Sequence, residues 1–328
     1  MTAVVVGVDA GNSKTDVAVA AMDGSVLALH QGPGSSPDKL GDDAAAGVLD
    51  GVIATALTKA GAPAEAVASI AVFAAGLDLP EDAPRYRAAL ERALPYRASI
   101  STDNDTVAAL LAGTGGDPGV VVVCGAGINA MLLAHDGRRH GYLSLGQVSG
   151  DWGGGLALGR EVLWSAVRAE DGRGRATGLV GLVLDAFAVD SVAELSMRIR
   201  RGEVAEAALV DLVPGLYRLA GEGDFVASRV VERLVDEVTG MVAALVRRAP
   251  DLPDQFPLVL AGGALTHAPA WFIEALTAQL RSVAPSAQVR PLRHKPVAGA
   301  LLAALAEDGR DGYGARVLAD TAVRTSGR

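Results

Sequence analysis

One ordered set of features occurs twice in this sequence, and the repetition restricts the fold more than any single motif does. Residues 4–29 contain a valine-rich run, a turn through Gly11, a second apolar run and an Asp-Gly turn. Residues 119–143 contain the same features in the same order, with the first turn at 125–127. Similar organisation with little identity between the copies indicates an internal duplication. The sequence therefore predicts two domains of similar architecture.

Strand and helix patterns alternate along the rest of the chain. Apolar runs at 69–76 and 256–265 lack polar alternation, which is typical of strands that helices cover on both faces. Further strands are expected at 96–102 and 287–292, and helices at 41–60, 81–94, 105–113, 224–246, 267–280 and 296–305. These patterns predict an α/β fold.

The best boundary between the two domains is the glycine-rich stretch "AGTGGDPG" near residue 114. It places a first domain at residues 1–114 and a second, with helical insertions, at residues 115–328. The charged tail after residue 307 carries no pattern that predicts an element.

Charge and cysteine content exclude several classes of protein. A net charge of −9 argues against a nucleic-acid binder that uses a broad basic face. The single cysteine, Cys124, excludes a disulfide framework, a four-cysteine zinc site and an iron–sulfur cluster within one chain, and it suits a reducing cytoplasm. The N-terminus lacks a signal-peptide pattern, and no uncharged apolar stretch is long enough to span a bilayer. We expect a cytoplasmic protein with neither nucleic-acid nor membrane partners.

The first turn is a candidate phosphate loop. Asp9 ends a valine-rich strand, and the loop that follows consists of Gly11, Asn12, Ser13, Lys14 and Thr15. Glycine lets backbone N–H groups approach an anion, hydroxyls can donate to phosphate oxygens, and lysine adds positive charge. A carboxylate at this place could hold Mg²⁺, which needs only one or two of them. The alternative is a strand–turn–strand with solvated polar residues, since Asp-x-Gly turns are common.

The turn of the second copy, Gly125-Ala126-Gly127, could serve as a second phosphate loop. It also fits a dinucleotide fingerprint, but that motif requires a following helix, whereas this stretch continues as a hairpin strand. A tight hairpin without a ligand is the remaining alternative.

Two aspartates stand where a strand meets a helix in "STDNDTVAALLAG" (101–113). Asp105 could act as a general base that takes a proton from an attacking hydroxyl, and Asp103 competes for that role. The structural alternative is that Asp105 caps the helix.

Two later stretches are rich in glycine. In "GQVSGDWGGGLALGR" (146–160), Asp151 could bind sugar-like hydroxyls, and Trp152 could form an apolar platform or fill the core. In "LAGGALTH" (260–267), Gly262 and Gly263 could let a nucleoside lie against backbone. Either stretch could instead be a plain turn.

Taken in this order, the motifs resemble those of the actin, sugar kinase and heat-shock-70 ATPase superfamily, over residues 3–307. Within it the chain is most similar to the N-acetylglucosamine kinase branch, also described as BadF/BadG/BcrA/BcrD-type ATPases. The resemblance implies two ribonuclease-H-like (actin-like ATPase) domains with an interdomain nucleotide cleft. It implies ATP between the two glycine turns and at Gly262–Gly263, Mg²⁺ near Asp9, and Asp105 as the base. It also implies sugar contacts at Asn104, Asn129 and Asp151, and a homodimer.

The resemblance further implies an ATP-dependent kinase that phosphorylates a sugar hydroxyl, the 6-hydroxyl of N-acetylglucosamine or glucosamine being the first choice. The chain departs from the family in the sugar pocket, where Trp152 replaces an acid and Leu145 a tryptophan. Two alternatives stay open: an ATPase that couples hydrolysis to a conformational change, and a sugar-binding protein without catalysis. The cysteines that dehydratase activators need for a shared cluster are absent.

Overall fold

The computed structural model describes residues 3–307 and 314–326. The chain forms two compact units. The first contains residues 3–121, residues 131–143 and the described residues from Leu292 onward. The second contains residues 122–130 and 144–291.

A five-stranded mixed sheet lies in the first unit. In space its strands follow the order β3-β2-β1-β4-β5, and along the chain they are β1 (Val4–Ala10), β2 (Lys14–Ala21), β3 (Val26–Pro33), β4 (Val67–Ala74) and β5 (Ser99–Asn104). Neighbours β1, β2 and β3 pair antiparallel, whereas β1, β4 and β5 pair parallel. The helices of this unit are α1 (Pro37–Leu40), α2 (Asp42–Ala60), α3 (Asp82–Ala93) and α4 (Asp105–Thr114), with α12 (Val297–Glu307) and α13 (Gly314–Ser326) near the C-terminus.

The valine-rich strand β1 is buried on both faces because its side chains alternate between two cores. Val4, Val6 and Val8 pack in one apolar cluster with residues of α2 and α3. Val5 lies in the other cluster, with residues of α4 and α12. A strand covered in this way gains from apolar residues at every position, which explains the unbroken run in the sequence.

The second five-stranded sheet has the order β10-β9-β6-β7-β8. Its strands are β6 (Gly119–Cys124), β7 (Ile128–Leu133), β8 (Arg139–Gly141), β9 (Phe256–Ala261) and β10 (Ala287–Pro291). The helices between β8 and the C-terminus are α5 (Gly154–Glu170), α6 (Leu179–Phe187), α7 (Val192–Arg200), α8 (Val213–Gly221), α9 (Phe225–Arg248), α10 (Gly263–Thr266), α11 (Ala270–Val283), α12 (Val297–Glu307) and α13 (Gly314–Ser326).

The α/β fold expected from the sequence is confirmed, with differences in the bounds of several elements. The apolar run at 69–76 belongs to β4, which ends at Ala74, and the run at 256–265 is a strand only as far as Ala261. The strand expected at 96–102 covers Ser99–Asn104, because its pairing with β4 continues to the register pair Ala74 and Asn104. The helix expected at 267–280 begins only at Ala270, since the residues after the glycine pair form the separate short helix α10.

The tail after residue 307, for which the sequence predicts no element, contains α13, while residues 308–313 and 327–328 lie outside the described residues. Among the described helices, not one has both the length and the apolar character needed to cross a bilayer.

Candidate active site

Three parallel strands bring the candidate acids of the first unit to one edge of its sheet. Asp9 of β1 is in register with Phe73 of β4, which is in register with Asp103 of β5. The carboxyl ends of parallel strands lie at the same edge, where α/β proteins bind their ligands. The sheet therefore places Asp9 close to the start of α4, although the two are far apart in sequence.

Asp105 is the first residue of α4, and the capping residue is its neighbour Asn104. The side-chain oxygen of Asn104 accepts a hydrogen bond from the backbone N–H of Thr106 at 2.9 Å. The interpretation of Asp105 as the helix cap is therefore wrong, because one side chain already fills that role. Burial raises the pKa of Asp105, while hydrogen bonds from the backbone and hydroxyl of Thr106 act in the opposite direction. A carboxylate with a raised pKa is a stronger proton acceptor, as a general base requires.

The competing acid, Asp103, is engaged elsewhere. Its Oδ2 accepts a short hydrogen bond from the guanidinium of Arg139, and its Oδ1 accepts one from the backbone N–H of Asn104 at 2.8 Å. Both of its carboxylate oxygens are therefore already held by hydrogen bonds within the protein. Of the two acids, the geometry favours Asp105 as the base.

Asp9 lies in a region of negative charge. Its pKa is raised to about 7, first by burial and then by the charges of Asp105 and Asp16, while Lys14 and Lys295 act to lower it. The negative charge of Asp105 therefore acts on Asp9. The structure thus brings the candidate metal ligand and the candidate base into one electrostatic site.

The residues at this site fit a magnesium ion bound together with phosphates. No cluster of three or more His, Cys, Asp or Glu side chains arranged for a metal ion occurs within residues 3–307 and 314–326. Mg²⁺ in phosphoryl-transfer sites needs one or two carboxylates and takes its other ligands from water and phosphate. The carboxylate of Asp9, in negative surroundings, suits that chemistry.

In the loop after β1, some of the residues expected to contact phosphate are exposed to solvent, and one of them is buried. The backbone N–H of Gly11 donates to the carbonyl of Lys14 at 2.9 Å, which closes the turn. Asn12, Ser13 and Lys14 are exposed. The hydroxyl of Thr15 is buried and shares a hydrogen bond of 2.6 Å with Ser35. Because Thr15 is fully buried whereas Ser13 and Lys14 are exposed, Ser13 and Lys14 are the better candidates for phosphate contacts.

Sequence reasoning missed a partly buried ion pair next to Asp9. Asp16, opposite Asp9 on β2, accepts hydrogen bonds from Lys295 at 2.9 Å and from Gln31 at 3.1 Å. Burial opposes ionisation of Asp16, but Lys295, Lys14 and Gln31 hold its pKa below the usual range. The signal available in the sequence was Asp16 itself, an acid directly before the apolar part of β2.

In the second unit, the loop 125–127 is fixed to the first turn of α5. Gly125 and Ala126 accept hydrogen bonds through their carbonyls from the backbone N–H groups of Gly155, at 2.7 Å, and Leu156, at 3.0 Å. Cys124, which precedes the loop, is fully buried, and burial raises the pKa of its thiol to about 12. Cys124 is therefore an inert strand residue, and the loop is rigidly held.

A cavity of about 450 Å³ opens beside this loop. The residues that line it include Gly125, Ala126, Val213, Tyr217, Gly263 and His267. The hydroxyl of Tyr217 donates to the carbonyl of Ala264 at 2.8 Å, so the wall is fixed by an internal hydrogen bond. Its size and largely apolar wall match a small-molecule pocket. The structure brings Gly125, Ala126 and Gly263, three of the predicted glycine-loop residues, to the wall of one cavity.

The predicted sugar contacts of the second unit lie near the start of α5. Asp151 is partly buried and accepts a short hydrogen bond from the hydroxyl of Ser149. Trp152 is 8% exposed and has the guanidinium of Arg233 4.0 Å from its ring centre, so it fills the core and is not an open platform. Asn129 is partly buried on β7. Asn104, the third predicted sugar contact, belongs to the first unit and caps α4.

Two glycines allow a matched test of the loop. Gly262 has a φ of +83°, and a Cβ there would lie 2.3 Å from the backbone carbon of Cys124. Gly127 has no atom within 4 Å of such a Cβ. We expect Gly262→Ala to destabilise the fold by at least about 1–3 kcal/mol. If this loop binds phosphate as the sequence predicts, Gly127→Ala should leave the melting temperature unchanged but weaken ATP binding about tenfold, since its methyl group would occupy space that the phosphate needs. Thermal unfolding and calorimetric ATP titration measure both effects, and normal ATP binding by Gly127→Ala would remove this loop from the nucleotide site.

Comparisons with known proteins agree with the motifs. The family model of the BadF/BadG/BcrA/BcrD ATPase family matches residues 6–305. The N-acetylmuramic acid/N-acetylglucosamine kinase of Clostridium acetobutylicum is 28% identical over 264 residues, 80% of this chain and 86% of that protein. The N-acetyl-D-glucosamine kinase of Dictyostelium discoideum is 24% identical over 310 residues, 92% of this chain and 97% of that protein. The resemblance inferred from the sequence is confirmed.

A solved structure shares the fold. The crystal structure of a candidate N-acetylglucosamine kinase from Chromobacterium violaceum superposes with a TM-score of 0.73 at 25% identity. The match covers 92% of this chain and 98% of that one. The likeness therefore extends over nearly the whole fold of both proteins.

Proposed function

We propose that this chain, which belongs to the BadF/BadG/BcrA/BcrD ATPase family, is an ATP-dependent kinase that phosphorylates a hydroxyl of an amino sugar. The observation that carries the proposal is the pair of acids at one edge of the first sheet. Asp105 has a raised pKa at the start of α4, and Asp9 interacts with it electrostatically. A kinase needs a base for the acceptor hydroxyl and an acid for the metal ion, and these residues supply both.

In the proposed reaction, Asp105 accepts the proton of the sugar hydroxyl as the hydroxyl oxygen bonds to the γ-phosphorus of ATP. The bond between that phosphorus and the bridging oxygen breaks, and ADP leaves with the electron pair. Asp9 would hold Mg²⁺, which neutralises phosphate charge when it is bound. Ser13 and Lys14, which are exposed on the loop after β1, would bind phosphate oxygens.

The cavity of the second unit is the proposed site for the adenine and ribose. Val213 and Tyr217 would provide an apolar wall for the base, and Gly125, Ala126 and Gly263, which also line the cavity, would let backbone approach the nucleoside. We assign phosphate contacts to Gly125–Gly127 and a nucleoside contact to Gly262. The fixed hydroxyl of Tyr217 keeps this wall in place before the ligand arrives, which lowers the entropic cost of binding.

The proposed acceptor is an amino sugar because the two curated relatives are kinases of N-acetylglucosamine, one of them also of N-acetylmuramic acid. We assign the sugar contacts to Asp151 and Asn129. We also propose that the 6-hydroxyl of the sugar is the group that is phosphorylated. Trp152 fills core space next to Asp151 where the family often has an acid, so this pocket lacks one carboxylate that could bind the sugar. We further propose that the protein is a homodimer in the cytoplasm. Light scattering on the purified protein would measure its molar mass and so check the dimer.

The test of this function is an acceptor screen. ADP release from MgATP is measured with no sugar and with glucosamine, N-acetylglucosamine, N-acetylmuramic acid, N-acetylmannosamine and glucose. We expect one amino sugar to raise the rate well above the sugar-free rate, with a phosphosugar product visible by mass spectrometry. ATP hydrolysis that no sugar changes would support the ATPase alternative. Sugar binding without turnover would support a non-catalytic protein.

A further inference from the structure

Asp78 is a partly buried acid in the loop between β4 and α3, and the proposed mechanism does not use it. Its Oδ1 accepts a hydrogen bond from Nδ2 of Asn104 at 2.8 Å. The carbonyl of Leu77, one residue earlier, accepts from the same nitrogen at 3.3 Å. Both N–H groups of the Asn104 amide are therefore engaged by this loop.

The other end of the same amide holds the start of α4. Oδ1 of Asn104 accepts from the backbone N–H of Thr106 at 2.9 Å, and Asn104 is only 8% exposed. The amide group is planar, so fixing its nitrogen also fixes the position of its oxygen. Asp105 lies between Asn104 and Thr106, so its backbone cannot shift without disturbing this cap.

The loop that carries Asp78 is itself anchored. The backbone N–H of Ala75 donates to the carbonyl of Ala10 on β1 at 3.0 Å. The hydroxyl of Ser36 donates to the carbonyl of Ala75 at 2.9 Å. At the other end, Asp82 accepts from the backbone N–H of Leu79 at 2.9 Å. Asp78 thus stands on a segment tied to β1 and to α3, and it can act as a fixed support.

The electrostatics place Asp78 beside the proposed base. Its pKa is raised to about 6, first by burial and then by the negative charge of Asp105. Asp82 and Asp38 also raise it, and the hydrogen bond from Asn104 lowers it. Two acids so near each other repel, and the bond to Asn104 offsets part of that cost.

We propose that Asp78 is a positioning residue for Asp105: through Asn104 it fixes the N-terminus of α4 and with it the direction of the Asp105 carboxylate. The inference rests on the proposed function, because the group being positioned is the proposed base. A base displaced by about 1 Å can lose about 100-fold in rate, so the support has a measurable consequence.

The first test compares two substitutions of Asp78. Asp78→Ala removes the acceptor and should lower kcat about 10- to 100-fold, with the KM values for sugar and ATP nearly unchanged. Asp78→Asn keeps an oxygen that can accept from Asn104 and should retain most of kcat. Equal losses in both variants, or a loss confined to KM, would overturn the positioning role.

The second test exchanges the two side chains and does not depend on Asp78→Ala folding. Asn104→Asp still caps Thr106 but has no N–H for Asp78, so kcat should fall about 10- to 100-fold. The double variant Asp78→Asn with Asn104→Asp restores one hydrogen bond with donor and acceptor reversed. Its kcat should recover to within a few-fold of wild type. A double variant no better than Asn104→Asp alone would overturn the proposal.

A third measurement separates this proposal from the proposed function. Amide hydrogen exchange over residues 104–110 is followed in the free protein, with no nucleotide or sugar present. Exchange should be faster in Asp78→Ala and Asn104→Asp and close to wild type in Asp78→Asn and the double variant. This readout holds whatever reaction the protein catalyses. Unchanged exchange in folded Asp78→Ala or in Asn104→Asp would show that Asp78 does not hold α4.

Discussion

Replacing Asp105 by asparagine is expected to lower kcat about 10²- to 10⁴-fold, the usual contribution of a positioned general base. Asparagine has nearly the same shape, and Asn104 would still cap α4, so the fold should survive. ATP binding should also survive, because the proposed nucleoside site lies in the cavity beside Gly125 and Tyr217. The measurement is steady-state turnover on the acceptor sugar together with a calorimetric titration of ATP.

Asp103→Asn is the matched control for Asp105→Asn. Asp103 stands two positions earlier in the chain, and its carboxylate is already bound to Arg139 and to a backbone N–H group. Losing that ion pair should reduce stability and leave the pH dependence of kcat unchanged. If Asp103→Asn abolished turnover and Asp105→Asn did not, the base would be Asp103. If both variants turned over normally, neither acid would be the base.

The parts of the site that were predictable from sequence are those built from neighbouring residues. The strand that ends near Asp9, the turn at Gly11 and the helix starting at Asp105 each follow from local spacing and residue type. The same holds for the glycine turns at 125–127 and 262–263. Each of these features depends on the preferences of a few consecutive residues, and such preferences act before any tertiary contact forms.

The contacts that orient the acids could not be predicted in this way. Lys295 reaches Asp16 across 279 positions of sequence, and Asn104 reaches Asp78 across 26. Such pairs depend on which strands become neighbours and in which register, which periodicity does not specify. Local chemistry also left the helix cap ambiguous, since Asn and Asp cap helices about equally well. The choice of Asn104 follows from the extension of β5 to that residue against β4.

Removing the carboxylate of Asp9 is the second large effect that we expect. Asp9→Asn should lower the MgATP-dependent rate about 10²- to 10³-fold, equivalent to several kcal/mol of lost charge stabilisation at about 1.4 kcal/mol per tenfold. The rate that remains should no longer saturate with Mg²⁺ in the concentration range that saturates wild type. A titration of rate against Mg²⁺ at fixed ATP measures this, and an unchanged Mg²⁺ profile would remove Asp9 from the metal site.

The same variant should be more stable than wild type in the absence of ligand, and the sign follows from the pKa of Asp9. Burial and the charges of Asp105 and Asp16 raise that pKa from 3.8 to about 7. The folded protein therefore binds a proton more tightly than the unfolded chain, and stability from this group is lost as pH rises from about 4 through 7. Asparagine carries no charge to bury, so the melting temperature of Asp9→Asn should exceed that of wild type at pH 8, and the difference should shrink as the pH falls toward 4.

MgATP should reverse the order of the two melting temperatures at pH 8, because only wild type can use its carboxylate to bind the ion and gain stability from the complex. A lower melting temperature for ligand-free Asp9→Asn at pH 8 would mean that Asp9 serves the fold and not a metal ion.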